Sequence, residues 1–380
     1  MSTPILTGDP DGWRARRTGV KWGLYAPDVL PLWVAEMDAE PCRPVVDAVA
    51  AALSRGDTGY PLGRELVEAG QAYAADTWDW TIDASRTSPV ADVMIGVGEV
   101  LRGVTDPGGP VILSSPVYNA FFDVLDMLDR RVVDAPLTPG GRLDPEALER
   151  AFGEATADGE RAAYVLCNPQ NPTGTVHTGA ELETLAEIAD RHGVTVVSDE
   201  IHAPIVHEGT FTPYLTVEGG QRGVSLLSPS KAWNLAGLKA ALVVTGAEAV
   251  PGATLHEVHS HGASHLGEIA GAAAWTEGRG WLEQVSREIA ANRELLGRLL
   301  DEQLPSVGYT APAATYLAWL DCRALGLGDD PAAHFREKGR VAFSSGPSFG
   351  TTGRGHVRVN LATSPDIVTE AVARMAGSLG

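Results

Sequence analysis

Basic residues are scarce in this chain: 29 lysines and arginines stand against 49 aspartates and glutamates, a formal net charge of -20. Nucleic acids and anionic membranes are bound through basic patches that displace counterions, so the balance argues against both as partners and favours solubility. Cysteine is rarer still. Cys42, Cys167 and Cys322 are far apart and without CxxC spacing, which leaves neither a disulfide framework nor a zinc motif. No uninterrupted apolar run reaches the roughly 20 residues needed to cross a bilayer. The opening Met1-Ser2-Thr3-Pro4, soon followed by Asp9 and Asp11, lacks the basic-then-apolar order of a signal peptide. A soluble protein of the reducing cytoplasm is the expectation. There is no internal repeat and no low-complexity tract.

What is present is an ordinary globular composition, 44% hydrophobic and 21% charged over 380 residues, enough for a large domain and a smaller one. Residues 1 to about 40 read as irregular, with Trp13, Trp22 and Trp33 spread through proline-rich sequence and an apolar stretch at 30–38, a segment expected to lie across another surface. Helices are expected at 44–53 and 65–78, separated by a glycine- and proline-containing break. From about residue 90, short apolar runs alternate with helix-length segments. The expected strands are 93–95, 111–113, 163–167, 194–198, 226–227 and 240–244. Such strands, with little polar alternation, predict an α/β fold: a mostly parallel central sheet with helices on both faces. Beyond 265 a long helical region, broken at 278–280, precedes strands near 316–320, 341–343 and 357–361, which predicts a smaller α+β domain. The divisions are 1–48 for the arm, 49–270 for the large domain and 271–380 for the small one.

Ligands of such sheets sit beyond the carboxyl ends of the strands, and the polar clusters fall there. Ser228-Pro229-Ser230-Lys231 follows an apolar run and places an amine behind two hydroxyls, suited to a nucleophile beside an anionic group; a lone surface lysine is the ordinary alternative. Asn168-Pro169-Gln170-Asn171-Pro172-Thr173-Gly174 fixes an extended loop in which an asparagine amide can donate to a ring oxygen. Asp199 ends a strand and could face a cationic ring nitrogen, cap a helix or bind a metal. Gly96-Val97-Gly98 opening a helix at Glu99 could offer amides to a phosphate or form a tight turn. Tyr118 could stack on a planar ring or fill the core. Arg358, central in an apolar strand, calls for a planar anion such as a carboxylate, or an internal salt bridge. His256, His259, His261 and His265 match no common metal spacing, so no metal is expected.

Together, LPLWVAEMD (30–38), SPVYNAFF (115–122), CNPQNPTG (167–174), DEIHAPIV (199–206), SPSKAWNLAGL (228–238), ATYLAWLD (314–321) and HVRVNLA (356–362) resemble the fold-type I pyridoxal-phosphate enzymes of the class I/II aminotransferase superfamily. Within it the chain is similar to the cystathionine β-lyase-like, carbon–sulfur lyase branch. The resemblance runs through nearly the whole chain in order. It implies pyridoxal 5'-phosphate as cofactor, held covalently by Lys231, which also moves the Cα proton. It further implies that Asp199 pairs with the ring nitrogen, Asn171 and His202 flank the ring hydroxyl, and Tyr118 stacks on the ring. Ser228, Ser230 and the amides of Val97 and Gly98 would hold the phosphate. Tyr60 would reach the phosphate of a second subunit, hence a homodimer, and Arg358, with Asn171 and Tyr118, would receive the amino-acid substrate. The implied reaction is cleavage of cystathionine or a cysteine S-conjugate to a thiol, pyruvate and ammonia. An aminotransferase or a regulatory protein on the same scaffold are the rivals. Lys239, Gln170, Ala232-Trp233 and Ala39 depart from the usual residues and put substrate identity, more than cofactor binding, in doubt.

Overall fold

In the computed structural model, residues 3–380 are described. The strands Thr87–Val90, Pro110–Leu113, Arg131–Asp134, Ala163–Cys167, Thr195–Asp199, Val224–Leu227 and Ala241–Thr245 form one seven-stranded sheet. Every pairing in it is parallel except those of Ala241–Thr245, which runs against both Val224–Leu227 and Thr87–Val90. The strands Ala163–Cys167 and Thr195–Asp199 are buried along their whole length, as strands covered on both faces must be. One core packs Leu148, Phe152, Leu182 and Leu185 on one face of the sheet; another packs Val97, Leu101, Phe121 and Leu125 on the other. The mostly parallel α/β sheet expected from the sequence is therefore what the chain forms.

The second sheet is antiparallel, ordered Ser344–Ser345, His356–Asn360, Leu317–Asp321, Gly308–Tyr309. Its core includes Phe335, Phe343, Val359 and Met375, and it also takes in Trp13, Trp22, Leu30 and Leu32 of the amino-terminal arm. The long helix Arg279–Gln303 joins the two bodies: Leu282, Val285 and Ile289 face the first core, while Leu296, Leu299 and Leu300 face the second. Among the described residues no helix is long and apolar enough to cross a membrane, and no group of three or more His, Cys, Asp or Glu is placed to hold a metal ion.

Two local expectations are overturned: the arm, read as irregular, carries the short helix Pro10–Arg16, and the strand expected at 93–95 is not formed. Residues 93–95 open the helix Val93–Val104, capped by the Asp92 carboxylate on the amide of Ile95. That helix buries one face through Val93, Gly96, Val97, Val100, Leu101 and Val104, while Glu99 and Arg102 on the other face come only after an entirely apolar first turn. The antiparallel strand Thr87–Val90 takes the sheet position instead.

Candidate active site

The carboxyl ends of the sheet strands open onto a cavity of about 150 Å³ whose wall includes Tyr118, Asn171, Asp199, His202, Ser230 and Lys231. They reach it from four strand ends, Asp199 sharing one with His202 and Ser230 another with Lys231, so residues spread over more than a hundred positions converge because the strands are parallel. Lys231 is half-buried, and its Nζ donates to the carbonyl of Ala35 at 3.2 Å. Burial, followed by the nearby Arg358 guanidinium, brings its amine down to about 8. Asp199 Oδ1 accepts from the Ile201 amide at 3.1 Å, and burial pushes its carboxyl up to about 6 despite that bond and Lys231. A carboxylate so placed gains from a cationic partner in the cavity. The His202 ring is buried, its Nδ1 has no hydrogen-bond partner, and burial, then Lys231 and Arg358, holds it neutral, at about 3. It packs edge-on to Tyr316 at 5.9 Å between ring centroids.

Arg358 is 4% exposed and lies beside this group. Its guanidinium donates to Asn171 Oδ1 at 2.9 Å, the Trp33 carbonyl at 3.0 Å and Ser344 Oγ at 3.1 Å, all neutral oxygens. Its Nε has no partner. The internal salt bridge entertained from the sequence is absent among the described residues. Phe349 lies under the guanidinium at 4.9 Å, and burial lowers Arg358 to about 10. A buried cation lacking its own carboxylate is a receptor for one.

Several expected positions move. Val97 and Gly98 lie inside the helix, turned to the core, and do not line the cavity. Gly96 is needed for packing: a Cβ there would stand 2.6 Å from Leu226 and 3.0 Å from Val243. The free first-turn amides belong to Val93 and Met94, both in the cavity wall together with Lys239, which pairs with Asp92 at 2.6 Å. The Ser228 hydroxyl donates to the Ala240 carbonyl and accepts from the Ser230 amide, so it braces the lysine turn from within. Tyr60 is 93% exposed and outside the cavity of its own chain. Gly174 holds a left-handed φ of +70° where a Cβ would sit 2.3 Å from Pro312, and its carbonyl accepts from Ala314, joining the asparagine loop to the smaller body. Two of the four histidines between 256 and 265 are paired elsewhere: His265 on Asp57 at 2.8 Å, and His259 facing Glu99 at 3.6 Å.

Sequence reasoning missed Glu200. It is fully buried; its Oε1 accepts from Ser198 Oγ, Ser225 Oγ and the Tyr214 amide, and its Oε2 has no partner. Burial raises its carboxyl from 4.5 to about 8. The unfolded chain releases this proton near 4.5 while the folded one keeps it to about 8, so this group's contribution to stability falls as pH rises through that window. Glu200→Gln is expected to fold and to narrow the loss of melting temperature between pH 5 and 8. A melting difference between the two proteins that stays constant over that range would refute it.

The comparisons agree with this geometry. A Mycobacterium tuberculosis protein that carries the provisional name cystathionine beta-lyase is 50% identical over 389 residues, covering 96% of each chain. The cystathionine beta-lyase of Corynebacterium glutamicum is 32% identical over 371 residues, covering 96% of this chain and 97% of that one. A crystal structure from Corynebacterium diphtheriae, provisionally described as a PLP-dependent beta-cystathionase, superposes with a TM-score of 0.87 at 32% identity over 99% of both chains. The model of aminotransferase class I and II matches residues 36–375. The chain belongs to the class I and II aminotransferase family.

Proposed function

We propose that this protein is a pyridoxal 5'-phosphate-dependent carbon–sulfur β-lyase that cleaves cystathionine or a related cysteine S-conjugate to a thiol, pyruvate and ammonia. The observation that carries the proposal is a half-buried lysine in the cavity wall with no carboxylate partner, beside a buried arginine whose hydrogen bonds all go to neutral oxygens, one of them the cavity-lining Asn171. The relatives' names point the same way.

The cavity suits the cofactor on its own chemistry. Asp199 would take the ring nitrogen, and the unpartnered Nδ1 of His202 and the Asn171 amide lie with it in the wall. The Val93 and Met94 amides, Ser230 and Lys239, the last paired with Asp92, form a donor-rich end for a phosphate, and Tyr118 supplies an aromatic wall. Bound there, pyridoxal phosphate supplies an electron sink for the bond pair released at the substrate's Cα. Arg358 grips the substrate's carboxylate, with Asn171 orienting the guanidinium. Lys231, its amine already near neutral pH in proton affinity, accepts the Cα proton. With a thiolate leaving group on Cβ, loss of that proton is followed by departure of the thiolate. Without one, Lys231 would return the proton elsewhere and the outcome would be transamination.

A homodimer in a reducing cytoplasm is part of the proposal. Tyr60 and Leu62 are 93% and 77% exposed on one short segment, an apolar tip suited to a second copy's site. Cys42, Cys167 and Cys322 are free and buried. The test adds L-cystathionine to the purified holoenzyme with no keto acid and follows pyruvate and free thiol. Stoichiometric release of both is expected. Product formed only when a keto acid is supplied would replace the lyase with an aminotransferase.

A further inference from the structure

The apolar stretch ending in Trp33-Val34-Ala35-Glu36-Met37-Asp38 takes no part in the chemistry above, yet its backbone is bound at every carbonyl from 33 to 37. Trp33 O receives Arg358 and Ser344. Val34 O and Glu36 O share the Asn360 amide at 2.8 and 2.6 Å. Ala35 O receives Lys231 Nζ at 3.2 Å and the Tyr316 hydroxyl at 3.0 Å. Met37 exchanges two hydrogen bonds with the Asn234 side chain. The segment is thus a strap crossing both the amine and the guanidinium of the site.

Behind the strap lies a buried ion pair, with Lys21 3% and Asp38 1% exposed. Lys21 Nζ stands 2.8 Å from Asp38 Oδ2 and also donates to Glu36 O at 3.0 Å. Trp22 Nε1 donates to Asp38 Oδ1 at 2.7 Å, Thr363 Oγ1 to Asp38 Oδ2 at 2.8 Å, and the Asp38 amide to Ala362 O. An apolar pair could fill this space without the desolvation cost of two charges. What the ions add is direction: they fix the strap's register against the second sheet to within a hydrogen bond's tolerance.

We propose that Lys21 and Asp38 are positioning residues that hold the strap so that the Ala35 carbonyl receives the Lys231 amine whenever that nitrogen is released from the cofactor, while the Trp33 carbonyl steadies Arg358. The inference rests on the function proposed above for this site. The charged and titratable groups facing Lys231 are Arg358, Lys239, Glu36 and Asp199, with His202 and Tyr316 beside them. The carbonyl adds a neutral acceptor that favours the protonated amine, and Tyr316 competes for it.

The test uses the full-length chain freed of cofactor and then mixed with pyridoxal 5'-phosphate across a pH series, following absorbance between about 320 and 430 nm. Only the neutral amine reacts, so the midpoint of the recombination rate reports the proton affinity of Lys231. Asp38→Asn loosens the strap and is expected to lower the midpoint by about 0.5 unit, with a several-fold rise in KM for the amino-acid substrate. Thr363→Val removes one bond to the same carboxylate and is expected to give a smaller shift of the same sign; it decides the matter if the first variant is insoluble. Tyr316→Phe leaves the carbonyl wholly to Lys231 and is expected to raise the midpoint. Unchanged midpoints in these variants, even with lowered melting temperatures, would overturn the proposal and leave the ion pair a purely structural one. A wild-type chain that never takes up the cofactor would overturn both inferences. One that takes it up but releases no thiol would overturn only the lyase.

Discussion

Lys231→Ala is expected to lower pyruvate release from cystathionine by at least ~10³-fold, the scale of losing a positioned proton carrier together with the covalent anchor. The fold should survive. The lysine's amine makes one hydrogen bond, to Ala35 O, and its ammonium is disfavoured by burial, so truncation removes a desolvated charge and no network. Matching far-ultraviolet circular dichroism and an equal or higher melting temperature of the cofactor-free chain, beside the lost turnover, is the expected pair of results. Turnover within tenfold of the wild type would remove Lys231 from the chemistry and, with it, the lyase mechanism.

Arg358→Leu is expected to act on substrate binding, raising KM by about 10²-fold, the worth of two charge-assisted hydrogen bonds to a carboxylate, with a smaller fall in kcat. Arg358→Lys would recover only part of this, since an ammonium cannot form the paired donors of a guanidinium. A cysteamine thioether, which lacks the α-carboxylate, separates binding from disorder. The wild type should discriminate strongly against it and the leucine variant hardly at all. If discrimination persists in the leucine variant, another residue receives the carboxylate. Asn171 Oδ1, Trp33 O and Ser344 Oγ each lose a donor, so part of any stability loss belongs to these groups and not to substrate.

Much of the site is legible along the chain because parallel strands send polar residues to one edge, and each such residue interrupts an apolar run. Asp199 and Lys231 announce themselves in this way, as does Arg358 by standing alone between valines. The helix Val93–Val104 is read wrongly at its start for the opposite reason. Its first turn, Val93-Met94-Ile95, is wholly apolar even though Ile95 is exposed, so no polar residue sets a helical period there. The helix residues that line the cavity are consequently Val93 and Met94, not Val97 and Gly98. The strap at 33–38 is visible as an apolar stretch, but its work is done by backbone carbonyls, which every residue carries and no side chain signals. Glu200 escaped because it adjoins Asp199, and only the fold reveals that the two carboxyls point into different surroundings, one to the cavity and the other to Ser198, Ser225 and Tyr214.

The reversed strand Ala241–Thr245 also bears on how the chain assembles. A parallel return after Val224–Leu227 would need a crossover to the far end of the sheet, whereas here Leu227 pairs with Leu242 and the chain turns straight back. Lys231 therefore rides on a closed excursion whose two feet are neighbouring strands, the most local pairing in the large sheet. Closing that excursion costs less chain entropy than any other pairing in the large sheet, so the turn that carries Lys231 is tied down by its own flanking strands and not by the distant ones that bring Asn171 and Asp199 to it.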